Sequence, residues 1–86
     1  MITDAQDLAR RLSNWAIEAS EIGYASRCNI ELRIDPEGLL VAATSYDGKR
    51  RKAAVILWPE VLSFTGTVSR TIKEFAEAVA EAPPIK

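Results

Sequence analysis

Four consecutive cations, Lys49-Arg50-Arg51-Lys52, are the densest charge in the chain and supply four of its eleven lysines and arginines. Cations packed that closely can neutralise neighbouring phosphates and release their counterions. On a strand, Arg50 and Lys52 would share one face and Lys49 and Arg51 the other. The same charges suit a hairpin arm beside a sheet edge, where they oppose unwanted strand pairing. Other chemistry is thinner. Cys28 is the sole cysteine, and there is no histidine to activate it. It falls on an apolar alternation, so a buried structural thiol is expected rather than a nucleophile. Glu18/Glu21 and Glu74/Glu77 pair carboxylates at helical spacing on expected solvent faces. A metal would need three or four converging ligands, and Gly48 and Gly66 stand in no phosphate-loop pattern. No catalytic, cofactor-binding or metal-ligating residues are therefore assigned, and a non-enzymatic protein is expected.

Composition narrows the class further. Eleven cations against twelve acids leave a net charge of −1, whereas nucleic-acid binders usually carry a basic excess. With 48% hydrophobic and 27% charged residues, the chain has the make-up of a folded globule. No apolar run approaches the roughly 20 residues of a membrane helix, and residues 1–11 lack the charge order of a secretory leader. A lone cysteine permits no internal disulfide. The expectation is a cytoplasmic protein with no membrane partner.

The elements that must position any site centre on residues 28–58. Cys28, Ile30, Leu32 and Ile34 alternate with Asn29, Glu31, Arg33 and Asp35, the period of a half-buried strand. Asp35-Pro36-Glu37-Gly38 reads as a three-residue turn closed by a glycine bulge, and Asp47-Gly48 as a two-residue hairpin loop. Pro59 ends the third strand. The expected strands are about 28–35, 39–46 and 49–58. Before them, Leu8, Leu12, Trp15, Ala19 and Ile22 form one stripe on a helix over about 4–22, with Thr3 as cap and Gly23 as stop. Pro59 also suits the first position of a short helical turn. After it, Val68, Ile72, Phe75, Ala76 and Val79 predict a second helix over about 68–81, capped by Thr67 or Ser69, with a loose tail over 83–86. The fold class is α+β in α-β-β-β-α order. It is a single domain over 1–86, a three-stranded antiparallel meander with both amphipathic helices on one face. The alternative puts one helix on each face.

The turns fix which side chains share a face. A three-residue loop over 36–38 pairs Asp35 with Leu39 and Ile34 with Leu40. The two-residue loop pairs Thr44 with Arg51, Ala42 with Ala53 and Leu40 with Val55. The core face then carries Cys28, Ile30, Leu32, Ile34, Leu40, Ala42, Val55 and Leu57. The second face carries Leu39, Val41, Ala54, Ile56 and Trp58, rimmed by Arg33, Arg50 and Lys52. An apolar centre with a charged rim is the pattern of an interface. Leu39, Val41, Ile56, Trp58, Arg33, Arg50 and Lys52 are thus the expected partner-binding residues. The partner is another protein or a second copy, and the module would be an adaptor, accessory or inhibitor of the kind that phage and mobile elements encode. A one-residue slip would exchange the two faces.

The element order resembles that of the double-stranded-RNA-binding domain. Gly66-Thr67-Val68-Ser69-Arg70-Thr71-Ile72-Lys73 stands where that family opens its last helix with a basic cluster. Only Arg70 and Lys73 fall there, and the tandem lysines are missing. The resemblance implies that Arg70 and Lys73 touch phosphates across a groove. Joined by Lys49, Arg50, Arg51 and Lys52, they make nucleic-acid binding the alternative function.

Overall fold

A computed structural model of the chain describes residues 2–64 and 66–80. The order is α1 (Ala5–Ser26), β1 (Cys28–Ile34), β2 (Gly38–Ser45), β3 (Arg51–Leu57), α2 (Trp58–Ser63) and α3 (Gly66–Val79). The three strands form one open antiparallel sheet in the order β1-β2-β3. The expected α+β architecture is present. The end of the expected last helix beyond Ala80 and the tail over 83–86 lie outside the described residues.

Both long helices lie on one face. Trp15 and Ala19 from α1 share a core with Val68 and Ile72 from α3, Val61 from α2, and Leu39, Val41 and Ile56 from the sheet. Leu8, Leu12 and Ile22 pack against it from the predicted α1 stripe. Helix α1 packs on β1 and on α3, whereas α3 lies mainly over β2. The short α2 has Pro59 in its first turn, where the missing N–H costs nothing. Ile2 is buried beside it, its N–H donating to the Leu62 carbonyl at 2.9 Å.

Several element ends differ from expectation. Asp4, not Thr3, caps α1: its side chain accepts from the Asp7 N–H at 2.8 Å. The helix passes Gly23 and stops at Arg27, which takes the left-handed conformation (φ 57°) and bonds back to Gly23 and Tyr24. Gly23 is needed for space, because a Cβ there would lie 2.7 Å from the Cys28 carbonyl oxygen. Helix α3 begins at Gly66, earlier than Thr67 or Ser69, and the Ser69 hydroxyl instead donates to Glu18 Oε1 on α1.

The main correction concerns the first hairpin. Asp35 N–H donates to the Gly38 carbonyl (2.9 Å) and Gly38 N–H returns to the Asp35 carbonyl (3.3 Å). The loop is therefore Pro36-Glu37, two residues rather than three. Ile34 pairs with Leu39 and Arg33 with Leu40, one residue off the expected frame. Gly38 is not a turn residue with positive φ. It belongs to β2, where a Cβ would sit 2.0 Å from the Ile56 carbonyl oxygen. The second hairpin keeps the expected register, with Leu40 opposite Val55 and Ala42 opposite Ala53. Its loop is wider than two residues, spanning Tyr46 to Lys49, and only Gly48 has positive φ (74°).

The slip exchanges the faces of β2 and β3 relative to β1. Leu39, Val41 and Ala43 are fully buried under the helices with Ile56, beside Cys28, Ile30 and Leu32. Leu40, Ala42, Ala53, Val55 and Leu57 line the side without helices. The register makes a measurable contrast. Leu39→Ala should cost about 2–5 kcal/mol in denaturant unfolding, whereas Val55→Ala, from a side chain 40% exposed, should cost less than about 1 kcal/mol. The reverse order of effects would restore the three-residue turn.

Candidate interaction surfaces

Of the seven side chains expected to bind a partner, four cannot form one exposed patch. Leu39 and Val41 are fully buried, Ile56 is 7% exposed, and Trp58 is half-buried with its indole N–H donating to the Asp35 carbonyl at 2.9 Å. They are interior because β2 pairs one residue out of the expected frame. The rim divides for the same reason. Arg33 lies on the open face, held by Glu31 at 3.1 Å, while Lys52 stands opposite Ala43 on the helix side.

The basic hairpin is built around Ser45 and Asp47. Ser45 is a buried polar residue at the end of β2. Its hydroxyl donates to Asp47 Oδ1 (2.6 Å) and accepts from the Arg50 N–H (3.0 Å), while Asp47 Oδ1 also accepts from the Lys49 N–H (2.9 Å). The Ser45 hydrogen bond, then the Lys49 N–H and the charges of Lys49 and Arg50, hold the Asp47 carboxyl below its ordinary value against some desolvation. Lys49, Arg51 and Lys52 are exposed and Arg50 is half-buried. Among the described residues none of the four makes an ion pair.

Arg70 does not join that cluster. The first half of α3 packs with Leu39 and Ile56, whereas Ala76 and Val79 pack with Ala43 and Cys28, at the end of the sheet that bears the hairpin. Arg70 is thus toward the opposite end, exposed and 3.8 Å from Glu74; Lys73 is exposed one turn on. Of the carboxylate pairs, Glu18 accepts from Ser69 and Glu74 meets Arg70, so each serves a surface contact. Cys28 is buried, and burial pushes its thiol up, away from the reactive thiolate.

Two connected surface clefts lie along β1. One cleft of about 320 Å³ runs between α1 and the start of β1, lined by Ala16, Ser20, Tyr24, Ile30 and Tyr46 among others. A second, of about 290 Å³, continues it beside Leu12, Ser13, Ala16, Leu32 and Ile34. Ala16 borders both. Tyr24 and Ile34 are 83% and 64% exposed. The groove exists because α1 presents Ser13, Ala16, Ser20 and Gly23 at spacings of three, four and three on the side facing the strand edge. That small-residue row was readable in the sequence beside the apolar stripe. Its meaning was not, because nothing in the sequence says that a strand edge lies under it.

Among the described residues, the backbone of that edge is free. Asp35 and Gly38 exchange hydrogen bonds, so alternation makes Arg33–Leu40, Glu31–Ala42 and Asn29–Thr44 the other hydrogen-bonded pairs. The N–H and C=O groups of Ile30, Leu32 and Ile34 point away from β2, toward the groove. Among the described residues no backbone hydrogen bond reaches them.

Comparison with protein families, curated proteins and solved structures finds no match for this chain. Among the described residues, no helix is long and apolar enough to cross a membrane.

The Asp47 interactions carry a pH signature. A carboxyl held lower in the folded chain than in the unfolded chain stabilises the fold above its unfolded pKa, roughly 4. That contribution is lost as pH falls through the depressed folded value. Asp47→Asn should therefore lower stability at neutral pH and flatten the acid limb of the unfolding profile. Acid limbs of equal slope in variant and parent would remove Asp47 from the hairpin's electrostatics.

Proposed function

We propose that this chain is a non-enzymatic, cytoplasmic protein-binding module that takes an extended segment of another protein as an added strand on β1. The observation that carries this is the coincidence of an unpaired strand edge with a continuous cleft against α1. In strand addition, main-chain hydrogen bonds give affinity and pockets for alternate side chains give selectivity. A segment running antiparallel to β1 would meet Ile30, Leu32 and Ile34 through its backbone. Every second side chain would enter the cleft beside Leu12, Ala16 and Ala19, which favours medium-sized apolar residues. The intervening side chains would lie toward the open face, near Glu31 and Arg33, where polar residues suffice. The ligand chemistry is thus a strand of alternating apolar and polar residues. The exposed rings of Tyr24 and Tyr46 supply rigid contact area at one end of the cleft at low conformational cost.

Nucleic-acid binding is the weaker alternative: its cations are divided between the two ends of the sheet, and the net charge is negative.

The test is selection of peptides from a random library on the immobilised protein. Enriched peptides should alternate apolar and polar residues and should protect the amides of Ile30, Leu32 and Ile34 from hydrogen exchange. Ala16→Trp, which fills both clefts from an exposed position, should lower peptide affinity at least about tenfold, the effect of filling an anchor pocket, while Ile17→Trp, exposed on the side of the same helix turned away from the sheet, leaves it unchanged. Peptides that bind the Ala16→Trp protein as well as the parent would refute strand addition at this edge.

A further inference from the structure

The opposite edge of the sheet has a different character. In β3, Arg51, Lys52, Ala53, Ala54 and Val55 are exposed in succession, and Leu57 is 56% exposed. Helix α3 is centred on β2 and leaves β3 covered only at Ile56. Both faces of this strand are therefore open along with its edge. Small and apolar residues over five positions make a flat pairing template that soluble proteins normally hide.

The hydrogen-bond phase of that edge is fixed. Ser45 N–H donates to the Arg50 carbonyl (2.9 Å). Alternation makes Ala43–Lys52, Val41–Ala54 and Leu39–Ile56 the next hydrogen-bonded pairs. The N–H and C=O groups of Arg51, Ala53 and Val55 and the N–H of Leu57 consequently point outward, and among the described residues nothing bonds to them. The Leu57 carbonyl, at the N-cap, is taken by the first bond of α2.

Charge along the strand is polar in the directional sense. Lys49, Arg50, Arg51 and Lys52 crowd one end. At the other end, Trp58 N–H donates to the Glu37 carbonyl (3.2 Å) and its indole to the Asp35 carbonyl. This draws the acidic Asp35-Pro36-Glu37 turn alongside, where Asp35, Pro36 and Glu37 form a cleft with Val55. Glu60 follows in the first turn of α2. A strand with opposite charges at its two ends is complementary to its own antiparallel copy.

We infer that β3 pairs antiparallel with β3 of a second copy about a two-fold axis at Ala54, joining two sheets into one of six strands. In this register Ala53 faces Val55 of the second copy and the two exchange both backbone bonds, while Arg51 faces its Leu57 and accepts from the Leu57 N–H, the Leu57 carbonyl being held by α2. The like-charged ends then stand about 20 Å apart at the usual rise per residue. Arg51 of each copy lays its stem on Leu57 of the other and directs its head toward the Asp35–Glu37 turn. Only a methyl group occupies the axis from each side. Such an isologous interface closes on itself and leaves no further β3 edge exposed. This dimer goes beyond the peptide-binding role of β1 and does not depend on it.

Sedimentation velocity over a concentration series tests it. The parent protein should form a dimer. Ala54→Lys and Ala54→Glu, each placing two like charges at the axis from an exposed position, should weaken the dimer at least about tenfold. Mixing the two variants should restore it. Circular dichroism confirms the fold of each variant. A parent that stays monomeric throughout the series, or a dimer that survives in both single variants, overturns the inference. Peptide binding at β1 is read separately on the Ala54→Lys monomer, so failure of either proposal leaves the other standing.

Discussion

Two hydrogen bonds between Asp35 and Gly38 decide which side of the middle strand meets the helices. Because side chains alternate with a period of two, closing the first hairpin over Pro36-Glu37 rather than over three residues reverses every position of β2 and, through it, β3. The choice is enforced from the far side of the sheet. The Ile56–Leu57 backbone passes so close to Gly38 that no other residue fits. With Gly38 committed to the strand, it cannot serve as the bulge of a longer turn. Leu39, Val41 and Ala43 then face α1 and α3, and the core forms around them.

Much of this fold was legible. The helix stripes, the element order, the second hairpin register and the packing of both helices on one face follow from periodicity and from Asp47-Gly48. What was not legible is instructive. Both faces of β2 and β3 carry apolar residues: Leu39, Val41 and Ile56 on one, Leu40, Ala42, Val55 and Leu57 on the other. Periodicity in β1 marks its inner face clearly, with charges at Glu31 and Arg33. In β2 no charge breaks the tie, so the frame rested on the turn alone. A glycine after Asp-Pro-Glu has two physical explanations, positive φ or close approach of another backbone, and the second depends on a strand nearly twenty residues downstream. The expected partner surface failed with that choice.

A small sheet covered on one face leaves one face and two edges to manage. Here the two edges differ because the two helices sit differently. Helix α1 stands over β1 and turns a row of small side chains toward its edge, which makes a groove. Helix α3 is set over β2, so β3 projects beyond the helical layer and is flat. The first geometry admits a chain whose side chains need pockets. The second admits a chain of equal flatness, and the copy of β3 itself meets that requirement.

The four cations at the start of β3 acquire a physical meaning in this setting that their density alone does not give. Edge strands are commonly protected by charge, since burying an unpaired lysine or arginine against another strand is unfavourable. Charges spread along β3 would block every pairing. Charges confined to one end, with acids gathered at the other by the Trp58 hydrogen bonds, block only arrangements that bring like ends together. Parallel self-pairing does so in register. Antiparallel pairing shifted toward the Arg51 end also does so, because it brings the two basic ends closer. Shifting the other way separates the cations further but leaves Arg51 of both copies without a backbone partner. The centred antiparallel arrangement alone keeps the basic ends apart while bonding Ala53 and Val55 fully and giving Arg51 a partner in the Leu57 N–H. A charge pattern that guards against open-ended aggregation is thus, by the same electrostatics, a selector of one closed register.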